Sequence, residues 1–374
     1  MQIGVLGGGP AGLYFGLLTK RAHPGHDVTI VERNAPGATY GWGVVFSDRT
    51  LASFREADPE TYEEITDRFV IWDAINVLFD GEVVRCGGQT FSGISRRVLL
   101  GLLQGRCADL GVNLVFEEEF AGPDRFPEAD LIVGADGVRS ATRAAREEAF
   151  RPRISIGRSK YAWFGSTLPL DCFTFMFRTT SQGLFQVHSY PFDGTTSTFI
   201  VETTERTWER AGLYEMTEAE SLEFCENLFA DELRGHRLMS NKSLWLDFPT
   251  LTTKKWWDGN VVLVGDAEHT AHFSIGSGTK LAMEDSIALA RAFDRGRRVE
   301  DALAYYEAER RPLVGRFQHA ARQSQSYFEN TDRYVHLGPV QFAFNLLSRS
   351  GRMAYGDLRA RDPRFVTAVE ASIA

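Results

Sequence analysis

An apolar run from Gln2 to Leu6 leads straight into GGGPAG and then into Leu13 to Lys20, a stretch of helix-forming residues. A second apolar run, DVTIVER, ends at Glu32, twenty positions past Gly12. Gly7, Gly9 and Gly12 thus stand at the G-x-G-x-x-G spacing between a strand and a helix. Each glycine has a steric reason: a tight turn at Gly7, close backbone approach to a pyrophosphate at Gly9, and helix-on-sheet packing at Gly12. The free N–H groups and positive end of the helix would face the pyrophosphate, and Glu32 would accept a hydrogen bond from a ribose hydroxyl. Strand, turn, helix, strand and terminal acid in this register predict a parallel α/β unit that binds a dinucleotide.

With 374 residues and 43 % hydrophobic content, the chain can bury a large core in interlocked domains. Its 41 basic and 50 acidic residues give a net charge of −9, which argues against a nucleic-acid partner held by phosphate neutralisation. The four cysteines, 86, 107, 172 and 225, lack C-x-x-C or metal-ligand spacing, so reduced thiols and no metal are expected. The chain opens directly on a strand, and no apolar stretch approaches the roughly 18 residues of a spanning helix. A soluble, cytoplasmic protein without signal peptide or membrane partner is expected, as monomer or homodimer.

Beyond Glu32, NAPGATYGWGVVFSD reads as a glycine-rich loop, mobile or resting on a ligand, and Arg49 to Phe69 as exposed helix. Phe69 to Phe79, Asp80-Gly81 and Glu82 to Cys86 predict a hairpin. Arg96, Leu99, Leu103 and Cys107 repeat at helical spacing, and residues 112–116 and 130–134 return to strand. From 151 to 250 aromatic strands dominate; alternation puts Phe173, Phe175 and Phe177 on one face, and Gln186, His188 and Tyr190 on a face of their own strand. A helix is expected over 218–232, another over 281–293, and two more on either side of Pro312, over 301–310 and 313–328. Lys254 to Trp257 reads as cover for a sheet edge or a phosphate clamp, and Arg291 to Arg298 as a solvated face. The predicted organisation is α/β, α+β overall: a Rossmann-like unit from 1–70, 96–150 and 251–330, an inserted, mainly antiparallel sheet from 71–95 and 151–250, and a helical tail from 331–374.

Two further stretches narrow the reading. DLIVGADGVRSATR ends a strand at Gly134 and Asp136-Gly137 and starts a helix at Ser140; VVLVGDAEHTAHFSIGSGTKLAMED ends one at Gly265-Asp266 and precedes a helix with Gly276 and Gly278. The order GGGPAG, Arg96 with Leu99 and Leu103, GADGVRSATR and GDAEH resembles the single-component FAD-dependent aromatic hydroxylases of the para-hydroxybenzoate hydroxylase type, over roughly residues 1–330. That resemblance implies FAD in the dinucleotide fold, NADH or NADPH as co-substrate with no separate domain, and O₂ activated as a flavin C4a-hydroperoxide. It places Gly9, Ala11, Gly12, Glu32, Arg33, Arg96, Asp136, Asp266 and Gly276 on FAD, with Gly7, Pro10 and Gly278 beside them and Trp42, Gly43 and Val44 along the path of the flavin ring.

The sequence departs from that family where the substrate would lie. His269 is kept after GD, but Phe273 replaces a proline, Ser277 a glutamine and Lys280 an asparagine. This variant, HFSIGSGTKLAMED with GWGVVFSD, resembles the branch that hydroxylates aromatic acyl-CoA thioesters, salicylyl-CoA at C5 foremost. The closing YGDLRARDPRFV resembles the point where those longer chains enter a reductase-like domain, so the hydroxylase part alone is expected here. The other readings are a hydroxylase of a free indole or heteroaromatic, which resembles this chain through GWGVV and HFSIG, a flavin-dependent reductase that never handles oxygen, and a flavin-binding scaffold without activity. For a base that deprotonates a ring hydroxyl, His188, Tyr190, His269 and His272 are the candidates, neutral histidine being suited to pH 7.

Overall fold

The computed structural model describes residues 1–294, 298–351 and 353–373. The opening strand Gln2–Leu6 lies in a six-stranded sheet between Asp27–Val31 and Leu131–Gly134, parallel to both. Asn113–Val115 extends the sheet parallel to Asp27–Val31, and Val261–Leu263 extends it parallel to Leu131–Gly134. The strands are almost continuously buried, as expected of a parallel sheet covered on both faces. The helices Pro10–Ala22, Arg96–Asp109 and Gly278–Phe293 pack together on one face. Trp257–Asp258 closes the far edge antiparallel to Val261–Leu263, so the Lys254–Trp257 run does lead into a sheet edge.

A second sheet of eight strands is built mainly from the aromatic segments Pro152–Ser166, Phe173–Thr179, Leu184–Pro191 and Ser197–Thr204, paired antiparallel. The hairpin Ile75–Phe79 and Glu82–Cys86 joins it through a parallel pairing with Phe173–Thr179. Both faces of this sheet are covered. Phe164, Phe185, Phe199 and Val201 bury against Cys225, Phe229 and Leu233 of the helical insertion, while Val77, Phe79, Phe175 and Phe177 bury against Phe342, Leu346 and Phe365 of the C-terminal helices.

Several expectations are corrected. Phe69 to Phe79 is not one hairpin arm: Val70–Trp72 pairs with Phe91–Ser95 in a separate three-stranded sheet. The loop 34–48 is in part a strand, Gly43–Ser47, whose pairing with Phe91–Ser95 supplies the hydrogen bonds that a free loop lacks. Pro312 does not end a helix; Val299–Phe328 runs through it as one 30-residue helix, whose buried face of Leu303, Tyr306, Val314 and Ala321 outweighs one lost backbone bond. The strand Leu246–Thr253 pairs with Pro152–Ser166 across the boundary expected near 250. Part of the expected surface stretch Arg291 to Arg298, residues 295–297, lies outside the described residues.

Candidate active site

The glycine turn has the geometry its spacing requires. Gly7 has φ +108°, and a Cβ on Gly12 would stand 2.0 Å from the Gly7 carbonyl oxygen, so only glycine lets the helix approach the strand this closely. A Cβ on Gly9 would meet nothing within 4 Å, because Gly9 faces open space at the start of Pro10–Ala22. No side chain caps this helix start. Glu32 binds the turn itself: one carboxylate oxygen accepts from the Gly8 N–H at 2.8 Å, the other from the backbone and side chain of Asn34 at 2.8 and 2.6 Å. Two carboxylate oxygens offer about four acceptor positions, which leaves room for a ligand hydroxyl.

Two cavities meet at this turn. One, of 220 Å³, is lined by Gly7, Gly9, Glu32, Arg33 and Asp136. The other, of 260 Å³, is lined by Pro10, Ala11, Gly43, Val44, Asp266, Gly276 and Gly278. Gly9, Arg96, Ala135 and Gly137 line both, so the two form one bent cleft with the helix start at its elbow. The Arg96 guanidinium stands at that elbow with no hydrogen bond to any described residue. Asp266 opens onto the cleft, and enclosure by protein raises its carboxyl above the usual range. Asp136 accepts from Ser140 at 2.5 Å and from the Thr142 N–H at 2.9 Å, which anchors the next helix while keeping its loop on the cleft. Gly276 is left-handed, φ +59°, just before Gly278–Phe293, whose start also has no side-chain cap.

Residues 109–321 match the FAD binding domain family. The chain belongs to that family. It is 41 % identical to salicyloyl-CoA 5-hydroxylase of a Streptomyces species, over 99 % of this chain and 73 % of that one. It is 36 % identical to 3-hydroxy-4-methyl-anthranilyl-[aryl-carrier protein] 5-monooxygenase of Streptosporangium sibiricum, over 96 % and 97 % of the two chains. The fold matches 2-methyl-3-hydroxypyridine-5-carboxylic acid oxygenase with a TM-score of 0.74 at 20 % identity, over 96 % of each chain. The chain is therefore a flavin-dependent aromatic monooxygenase, with FAD as its cofactor.

The same 260 Å³ cavity has an aromatic wall of Trp163, Phe173, His188, Tyr190, Phe248 and Phe273, which makes this part of the cleft an aromatic chamber. His188 is 1 % exposed, and its Nε2 lies 2.9 Å from a carboxylate oxygen of Glu202, itself fully buried. Burial drives both away from charge: His188 falls well below the ordinary histidine range, with Arg349 adding to the effect, and Glu202 rises to about 7. Tyr190 donates to the Gly43 carbonyl at 3.0 Å and holds the strand under the chamber. His272 hydrogen-bonds Ser274 at 2.8 Å, and burial lowers it to about 4. His269 lines neither part of the cleft; its Nε2 is 2.8 Å from Asp285, which also accepts from Arg310 at 2.8 Å. Trp42 likewise lines no cavity among the described residues; it stacks on the backbone at Gly165 and beside Phe192. Sequence reasoning missed Glu202, Trp163 and Phe248. An acid in the otherwise apolar and hydroxyl-bearing strand STFIVETT was the one signal available for Glu202.

A third cavity, of 510 Å³, shares Val45, Phe173, Gly276 and Ser277 with the chamber and opens outward.

Proposed function

We propose that this protein hydroxylates the ring of an aromatic acyl thioester, salicylyl-CoA to gentisyl-CoA by 5-hydroxylation. The observation that carries the ring chemistry is the buried His188–Glu202 pair in the wall of an aromatic chamber that is continuous with the dinucleotide cleft. The thioester rests on the activities that name the two relatives, one acting on a CoA thioester and one on an aryl group borne by a carrier protein.

The cleft fits FAD. Two uncapped helix starts and an arginine at the elbow with no side-chain hydrogen bond among the described residues suit a pyrophosphate. In this reading Gly7, Gly9, Pro10, Ala11, Gly12 and Arg96 receive the pyrophosphate, Glu32 and Arg33 the adenosine half, Asp136 and Asp266 the polar linker, and Gly276 and Gly278 the edge of the ring system beside Gly43 and Val44. Bound FAD, reduced by NADH or NADPH, supplies the activation of O₂.

The chain's own residues prepare the ring. With Glu202 ionised, His188 Nε2–H donates to it, which leaves Nδ1, covered by protein and unpartnered among the described residues, as the acceptor for the ring hydroxyl's proton once the aromatic wall admits the ring; Glu202 then stabilises the imidazolium. The phenolate directs oxygen to its para carbon, C5 of a salicylyl group. Phe173, Phe248 and Phe273 hold the ring and exclude water. Residues 1–70, 96–150 and 251–330 would hold FAD, 71–95 and 151–250 would face the substrate, and 331–374 would back that sheet. Four free, buried cysteines suit a reducing compartment, and we place the protein in the cytoplasm.

The test is oxidation of NADH and of NADPH by the FAD-loaded protein with salicylyl-CoA or free salicylate, with products weighed by mass spectrometry. Stimulated oxidation and a product one oxygen heavier from the thioester alone is the expected result. Stimulation by a free heteroaromatic and not by the thioester overturns the reading. His188→Phe is expected to slow hydroxylation about 10²- to 10⁴-fold with FAD retained; an unchanged coupled rate removes His188 as the base.

A further inference from the structure

The 510 Å³ cavity beside the aromatic chamber is lined by no carboxylate among the described residues, although the chain as a whole carries nine more acidic than basic groups. Its charged lining is Lys280, Arg349 and Arg361, all basic. Phe173, Phe175, Phe91, Phe317 and Leu347 give it apolar surface, and Gln89, Thr90, Ser274, Ser277 and Ser350 give it polar surface in similar measure. The three cations stand in different settings. Arg349 lies over the rings of Phe175 and Phe328 and donates to Ser324 and to the carbonyls of Leu346 and Ser274. Lys280 lies over Phe317, 3.2 Å from Glu284. Arg361 is exposed, and its guanidinium is oriented by a 2.8 Å hydrogen bond to the carbonyl oxygen of the buried Gln89 side chain. Beyond Arg349 a shallow surface concavity continues the same sign, with Arg322 and Arg333 in its lining and again no carboxylate among the described residues. A cavity that adjoins the chamber, mixes polar with apolar lining, carries only positive charge and has the exposed Arg361 on its lining is complementary to a linear molecule with an aromatic head, an amide-bearing chain and an anionic end.

Given the thioester reading above, on which this rests, the geometry points to this cavity as the site of the 4′-phosphopantetheine arm, with Arg361 at the rim meeting its phosphate. The arm is common to CoA and to carrier proteins. Its chain lies against Phe91, Phe317 and Leu347, and its phosphate gains a charge-assisted contact where Arg361 is already held in place. The aromatic ring is thereby delivered into the chamber from the side opposite the adenosine half of the FAD cleft.

The experiment gives the holoenzyme one acyl group, salicylyl, as its N-acetylcysteamine, 4′-phosphopantetheine and CoA thioesters and on a carrier protein. Wild type is compared with Arg361→Glu, a surface charge reversal, and with Met353→Trp, which fills the cavity without changing charge. For Arg361→Glu the KM of the phosphopantetheine thioester is expected to rise at least about tenfold more than that of the N-acetylcysteamine thioester, with kcat less affected, and the gap is expected to shrink at high salt. Met353→Trp is expected to penalise every long-armed substrate relative to the short one. Penalties that do not depend on arm length overturn the site while leaving the thioester reading in place. Hydroxylation of free salicylate alone overturns the thioester reading and the arm site with it. Once arm dependence is seen, the higher kcat/KM between CoA and carrier protein identifies the natural source.

Discussion

Glu202 sets the pH behaviour of the chamber. Burial holds its carboxyl proton up to about 7, against 4.5 for the exposed group. In the unfolded chain it ionises near its ordinary value, so between those two pH values the native state binds more protons. Stability contributed by this group is therefore present at low pH and is lost as pH rises through about 7. On the proposed mechanism catalysis runs the other way, because ionised Glu202 is the form that would support His188 as a base. Single-turnover hydroxylation is expected to increase through pH 7, and Glu202→Gln to abolish that rise and flatten the pH dependence of urea unfolding. A Glu202→Gln enzyme with the wild-type pH profile would disconnect the pair from the chemistry. Strand alternation made His188 legible in the sequence. Its partner was not, because Glu202 lies on a neighbouring strand, diagonal to His188 in a register of His188 with Ile200 and Gln186 with Glu202, and register is a property of the paired sheet.

The first strand–turn–helix element is specified almost wholly by local sequence, and two of its glycines separate fold from binding. Gly12→Ala would place a methyl 2.0 Å from the Gly7 carbonyl, and is expected to destabilise the protein by about 1–3 kcal/mol and to cost FAD retention together. Gly9→Ala meets nothing within 4 Å, so the apo-protein is expected to keep its stability while FAD affinity falls, because the methyl occupies the helix start. Thermal unfolding with and without FAD distinguishes the pair; equal loss in both variants would contradict a ligand role for Gly9. The elements that sequence misjudged, the strand Gly43–Ser47 and the helix through Pro312, were both decided by packing. The partner strand Phe91–Ser95 lies far along the chain, and the long helix gains more from its buried face than proline removes.

Across the whole molecule, the C-terminal helices are part of the core. Phe342 stacks on Phe79 with ring centroids 3.9 Å apart and meets Phe177 edge-on, so the helices back the same sheet that carries His188. Phe342→Ala is expected to cost about 3–5 kcal/mol in urea unfolding. A cost below about 1 kcal/mol would mean that these helices only rest on the surface. The same packing brings Arg349 and Arg361 to the cavity beside the chamber, although the described chain places them more than fifty residues beyond Gly276 and Gly278.

The sequence by itself determined the dinucleotide turn, the acid at the end of the second strand and the aromatic sheet, since these follow from local sterics and periodicity. Only the tertiary structure decided which histidine lines the aromatic chamber, that His269 belongs to an ion network with Asp285 and Arg310, and that scattered basic residues share one cavity. Those properties depend on distances between residues remote in the chain, and burial, which sets their protonation, exists only once the sheets and helices have closed around them.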